Sequence, residues 1–174
     1  GDSGVTGAQQ FILEDVPRQV EKYGKDTVFF TTNCSMQEPL IRKVFEEGAI
    51  YTLQCCPSPF HAFPAALNID MSGHEGDVDY MLEQLQLKVD EAGMNGRGST
   101  WGVPCNMLFI DAGVEYAIKV LEGETDGILD DQVLRETIQE CAESFLPGAE
   151  MDITNYQQNG VAVENHYLVM ADFV

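Results

Sequence analysis

The run Thr27-Val-Phe-Phe-Thr-Thr32 is the segment that most narrows what this chain can become. Six consecutive β-branched or aromatic residues without polar alternation read as a strand buried on both faces. Strands of that kind belong to parallel sheets, which need a helical crossover between successive strands. The sequence that follows supplies one. Ser35 stands three residues before Glu38, the spacing of a capping box, and Met36–Glu47 reads as a helix ended by Gly48. A second apolar strand is expected over Ala49–Gln54.

The same alternation extends in both directions. Upstream, Thr6 and Gln9 have capping-box spacing, and Phe11, Ile12, Val16, Val20 and Tyr23 keep roughly one helical face. Pro17 is expected to kink that helix or split it. Downstream, Cys55–Pro64 is proline-rich and reads as neither helix nor central strand. Helices are expected over Asp77–Ala92, Asn106–Leu121 and Asp131–Phe145, a short strand around Ser99–Val103, and a last strand over Tyr167–Phe173. Strand and helix in this order define an α/β fold, a parallel-sheet lobe with helices on both faces. The acids Asp70, Glu75, Asp77 and Asp79 are accounted for by the N-terminal dipole of the helix they precede.

Charge excludes some partners. Asp and Glu number 29 against nine Lys and Arg, a formal charge of −20, and beyond Leu121 twelve acids face Arg135 alone. Such a surface repels phosphate backbones and anionic lipid, so neither nucleic acid nor insertion of this piece into a membrane is expected. On the Asp131–Phe145 helix the acids Asp131, Glu136, Glu140 and Glu143 lie opposite Val133, Leu134, Ile138, Cys141 and Phe145, the division of a solvated amphipathic helix rather than a cation site. No EF-hand loop, G-x-S-x-G elbow or phosphate-binding loop is present in the sequence.

In an open parallel sheet, ligands bind beyond the carboxyl ends of the strands. That rule selects Thr32, Asn33 and Cys34 after the first strand, then Ser58, Phe60 and His61 after the second. Arg97, Trp101 and Asn106 follow from the third loop. Amide, hydroxyl and aromatic groups of this mixture suit a small polar molecule. Each has a quieter alternative. Asn33 is suited to shaping a turn, Trp101 to plugging loops instead of stacking on a ligand, and Arg97 to pairing with acids instead of clamping an anion.

Five cysteines, an odd number, make a poor disulfide framework and fit a reducing environment. Cys55, Cys56 and His61 do not have the C-x2-4-C and H-x3-5-H spacings of a zinc site, so no metal is expected. They carry no family-independent signature of a Cys–His nucleophile pair either, so no catalytic residue and no cofactor is assigned.

Several stretches resemble an uncharacterised bacterial family. They are Gln9-Gln-Phe-Ile-Leu-Glu-Asp-Val-Pro17, Lys25–Cys34, Met36-Gln-Glu-Pro-Leu40, Cys55-Cys-Pro-Ser-Pro59 and Trp101-Gly-Val-Pro-Cys-Asn-Met107. The members are similar to type I periplasmic-binding proteins and include predicted lipoproteins. The resemblance implies two α/β lobes around a ligand cleft, with residues 1–174 forming one lobe from the later part of the family's length and an upstream lobe missing. It implies a periplasmic or lipid-anchored cell-surface location, and an ABC-type permease or a sensor as partner. A cytosolic ligand-sensing domain of the same fold is the first alternative, and an enzyme using Cys55, Cys56 or His61 the lesser one. The apolar end Tyr167–Val174 and the missing initiator Met agree with a piece of a larger protein, which should leave an apolar sheet edge exposed.

Overall fold

The computed structural model describes residues 3–174, and the chain divides into two compact units, Gly1–Trp101 with Val174, and Gly102–Phe173. The fold is α/β with a parallel sheet. The first unit holds α1 (Gly4–Tyr23), β1 (Val28–Phe29), a 3-10 turn at Cys34–Met36, α2 (Gln37–Glu47), β2 (Ile50–Tyr51), α3 (Phe63–Leu67) and α4 (Val78–Ala92). The second holds α5 (Cys105–Glu122), α6 (Asp131–Phe145), β3 (Met151–Gln158) and β4 (Val161–Ala171). Among the described residues no helix is long and apolar enough to cross a membrane.

In the first unit β1 and β2 run parallel, with Val28 opposite Ile50 and Phe29 opposite Tyr51. Residues 97–100 run beside β2, where the Tyr51 N–H donates to the Arg97 carbonyl. Thr100 and Val174 then exchange both backbone hydrogen bonds, at 2.7 and 2.9 Å. The strand expected over Ser99–Val103 is thus a short extended segment held between β2 and the last residue of the chain. Helices α1, α2 and α4 bury Val16, Val20, Leu40, Ile41, Val44, Met81 and Leu85 in one core with Tyr51 and Phe63. The Phe63 ring meets Tyr51 edge-on at 5.6 Å and Phe45 at 6.3 Å.

Four local expectations are corrected. Helix α1 starts at Gly4 and runs unbroken through Pro17, so Thr6 lies inside it and caps nothing. Asn33, not Ser35, caps the turn ahead of α2, and its side chain accepts from the Ser35 N–H. The proline-rich segment yields a helix after all, with Pro64 in the first turn of α3, where a missing N–H costs nothing. Thr27–Thr32 is not buried on both faces: Phe29 packs on the core, while Val28 and Phe30 are each 57% exposed. A continuous apolar run does not reveal which strand lies at an edge.

The second unit pairs α5 with α6 and ends in a long antiparallel hairpin. The strand expected over Tyr167–Phe173 is therefore the second arm of a hairpin, not a further parallel strand. Asn159 and Gly160 form its two-residue turn, both with positive φ at 54° and 79°. That is the type I′ geometry whose twist matches the flanking strands.

Tyr51 ties the sheet to α2. Its hydroxyl donates to Gln37 Oε1 at 2.7 Å, and Gln37 Nε2 donates to the Thr31 carbonyl at 3.0 Å. Burial pushes the Tyr51 phenol above the usual tyrosine range, and the nearby Cys55 adds to the rise. The fold therefore holds this proton more tightly than the unfolded chain does. The stabilisation is complete below the ordinary tyrosine value and is lost as pH rises past it. Urea midpoints are expected to fall as pH climbs beyond about 10, and Tyr51→Phe to flatten part of that fall while lowering the midpoint at neutral pH.

Candidate metal and ligand site

Two loops meet where the parallel strands end. The chain leaves β1 through Thr31 and Thr32 to Asn33, whose cap starts the 3-10 turn and places Cys34 at its first position. Beyond β2 it reaches Gln54, a polar side chain only 1% exposed. Gln54 acts as a brace. Its Nε2 donates to Thr100 Oγ1 at 2.9 Å and to the His61 carbonyl at 3.4 Å, and its backbone carbonyl accepts from Trp101 Nε1 at 3.1 Å. Thr100 Oγ1 lies 3.1 Å from Gln54 Oε1 as well. One buried residue thus ties the bend holding Cys55 and Cys56 to the turn holding His61 and, through side chain and backbone, to Thr100 and Trp101.

The result is a cluster not apparent in the order of the residues. The ligand atoms of Cys34, Cys55, Cys56 and His61 all lie within 4.8 Å of one another. Cys34 Sγ is 2.9 Å from Cys56 Sγ and 3.5 Å from Cys55 Sγ. His61 Nε2 is buried and is the one side-chain nitrogen or oxygen among the described residues that is buried without a hydrogen-bond partner. Hydrogen bonds from Cys56 and then Cys55 hold the Cys34 thiol below its ordinary value. The same contact raises Cys56 to about 12. Burial lowers His61.

The other expected site residues separate. Thr32 and Asn33 are exposed beside the cluster. Ser58 shapes the His61 turn, its hydroxyl accepting from the Phe60 N–H at 3.2 Å, while Phe60 packs against the core. Trp101 is partly buried and hydrogen-bonded at the same end. Arg97 is not part of this group. It sits at the opposite end of the strands, where Nε donates to the Gly48 carbonyl at 2.9 Å and Nη2 reaches Asp26 Oδ1 at 3.0 Å and the Lys25 carbonyl at 2.5 Å. It clasps the turns that precede β1 and β2. Asn106 is an exposed residue in the first turn of α5, in the second unit. Elsewhere in the first unit, a cavity of about 330 Å³ lies among Phe45, Phe63, Leu82, Leu85, Val89 and Val174. Its lining is mainly apolar and includes none of the nine residues selected for a polar ligand.

By local spacing alone, Cys55, Cys56 and His61 do not match a zinc site. Cys34 joins them only in the fold, because the residue is brought in from the end of the neighbouring strand. The available signal was topological: parallel neighbours place the loops after their strands side by side.

Residues 1–99 match the family described as "Protein of unknown function (DUF3798)", and the chain belongs to that family. It is similar to a solved structure described as a "Putative transcriptional regulator" from Clostridium difficile 630, with a TM-score of 0.78 and 21% identity. The alignment covers 100% of this chain and 48% of that one, so the chain spans about half the length of the clostridial protein. The curated proteins gave no match.

Proposed function

We propose that this chain is part of a protein that binds a small polar molecule without chemically transforming it, and that the carboxyl ends of β1 and β2 form one wall of the binding cleft. The observation that carries the reading is the convergence of Asn33, Cys34, His61 and Trp101 on the end of the sheet where α/β folds place their ligands. Exposed Thr32 and Asn33 offer a hydroxyl and an amide there, and the Trp101 ring offers a stacking face. In the solute-binding form of this reading the protein is exported, held at the cell surface by a lipid anchor, and delivers its ligand to a permease or sensor. The ligand-sensing regulatory form is favoured by what the clostridial structure is called. At −20 this chain would leave any DNA contact to another part of such a regulator.

Trp101 is the only tryptophan in the sequence and reports directly on the site. Panels of sugars, nucleosides, amino acids and short peptides are to be screened against the full-length protein by thermal shift. The expected result is a saturable rise in Tm from one chemical class, accompanied by a change in Trp101 emission. A panel that leaves both readouts flat contradicts the reading. Salt-dependent binding of the chain itself to duplex DNA contradicts its exclusion of nucleic acid.

A further inference from the structure

We propose that Cys34, Cys55, Cys56 and His61 form a four-ligand site for a zinc-class divalent ion. Three sulfurs and one imidazole nitrogen are the donor set of a closed structural zinc centre, in which protein atoms fill every tetrahedral position. With zinc–sulfur bonds of about 2.3 Å, tetrahedral geometry sets the sulfurs about 3.8 Å apart. Cys34 Sγ stands 2.9 and 3.5 Å from its two neighbours, and the whole set falls within 4.8 Å, so closure needs side-chain rotation rather than loop movement.

Three further observations point the same way. His61 Nε2 is buried without a partner, an expensive arrangement for an imidazole nitrogen unless something it binds comes to it. The backbone around the donors is already fixed, because Asn33 caps the turn that carries Cys34 and Gln54 holds both the His61 carbonyl and Thr100. Neither residues 31–36 nor residues 54–61 contain a Lys or Arg, so no cationic side chain of these loops is available to balance thiolates. A divalent ion supplies that charge. Binding displaces three thiol protons and leaves the centre with a net charge of −1. Soft sulfur donors favour zinc over calcium or magnesium, which take oxygen ligands.

This inference does not rest on the ligand reading. A metal centre here would brace the two loops whether or not a solute sits beside them, and the solute screen is to be run on both metal-loaded and metal-free protein.

The test uses the whole chain, reduced, stripped with chelator and then titrated with Zn(II) against a chromophoric competitor, with Co(II) as the spectroscopic probe. One equivalent of Zn(II) is expected to bind. Co(II) should give sulfur-to-metal charge-transfer absorption and the intense visible bands of a tetrahedral site. Cys34→Ser is expected to weaken Zn(II) binding by more than the roughly 10–100-fold that loss of an outer-shell partner costs. His61→Gln should shift the cobalt bands, and Cys141→Ser, which lies outside the cluster, should change nothing. Circular dichroism of each variant separates lost binding from lost folding. Any of the following overturns the proposal: reduced wild-type protein that stays folded and takes up no Zn(II), an octahedral cobalt spectrum, Cys34→Ser binding as tightly as wild type, or an iron–sulfur chromophore in its place. A Cys34–Cys56 disulfide that persists in reductant and blocks uptake also overturns it.

Discussion

Gln54→Ala is expected to destabilise the chain by about 3–5 kcal/mol, a large fraction of the roughly 5–15 kcal/mol that holds a domain together. The amide is 1% exposed and so is Thr100, its partner through two contacts of 2.9 and 3.1 Å. Truncation leaves a cavity and strands the Thr100 hydroxyl where water does not reach. The brace between the His61 turn and the sheet is lost with it. Gln54→Leu keeps most of the volume but still strands the hydroxyl, so it should recover only part of the loss. Combining it with Thr100→Val removes both polar partners together and should recover most of the remainder, because an absent pair costs far less than half of one. Urea unfolding of the three variants checks this. A double variant no more stable than Gln54→Leu alone would show that the pair is not the source of the effect.

The second large effect belongs to the centre of the first core. Ile41 is 0% exposed and lies on the buried face of α2 beside Leu40 and Val44. Ile41→Ala should cost about 2–5 kcal/mol, the spread reflecting how far the helices around it can close in. Ile110, on α5, is 68% exposed, and its replacement by Ala should change stability by no more than about 0.5 kcal/mol. Equal losses at the two positions in thermal or urea unfolding would contradict this placing of the core.

Helices declared themselves in the sequence where their ends carry chemistry. Asp130 and Asp77 cap α6 and α4 by accepting from the Val133 and Tyr80 N–H groups, and Gly48, Gly93 and Gly123 close α2, α4 and α5 in the left-handed conformation. These are local devices; local reading finds the glycine stops Gly48 and Gly123, while the caps it assigns to Thr6 and Ser35 are not formed. The hairpin had an equally local sign in Asn159-Gly160, but the polar character of Met151–Gln158 masked its first strand. An exposed ladder does not need the apolar alternation that announces a half-buried one. Burial of β1 was not legible, since Val28, Phe29 and Phe30 look alike in sequence while only Phe29 turns inward.

The candidate site divides along the same line. Asn33, Cys34 and His61 followed from the rule that ligands gather after parallel strands, and the rule placed Arg97 wrongly because that residue lies at the start of its extended segment, not after its end. The assembly of Cys34 with Cys55 and Cys56 depends on which strands are neighbours, and spacing along the chain does not encode that.

Amide hydrogen exchange of the full-length protein, with and without the compound that shifts its Tm most in the screen, tests the central claim most directly. Protection is expected to rise together in residues 31–34, 54–61 and 99–101, the three segments that converge at the carboxyl end of the parallel strands. Protection confined to the Arg97 clasp with Lys25 and Asp26, or to the β3–β4 hairpin, would contradict the claim that this end of the sheet is where the protein binds.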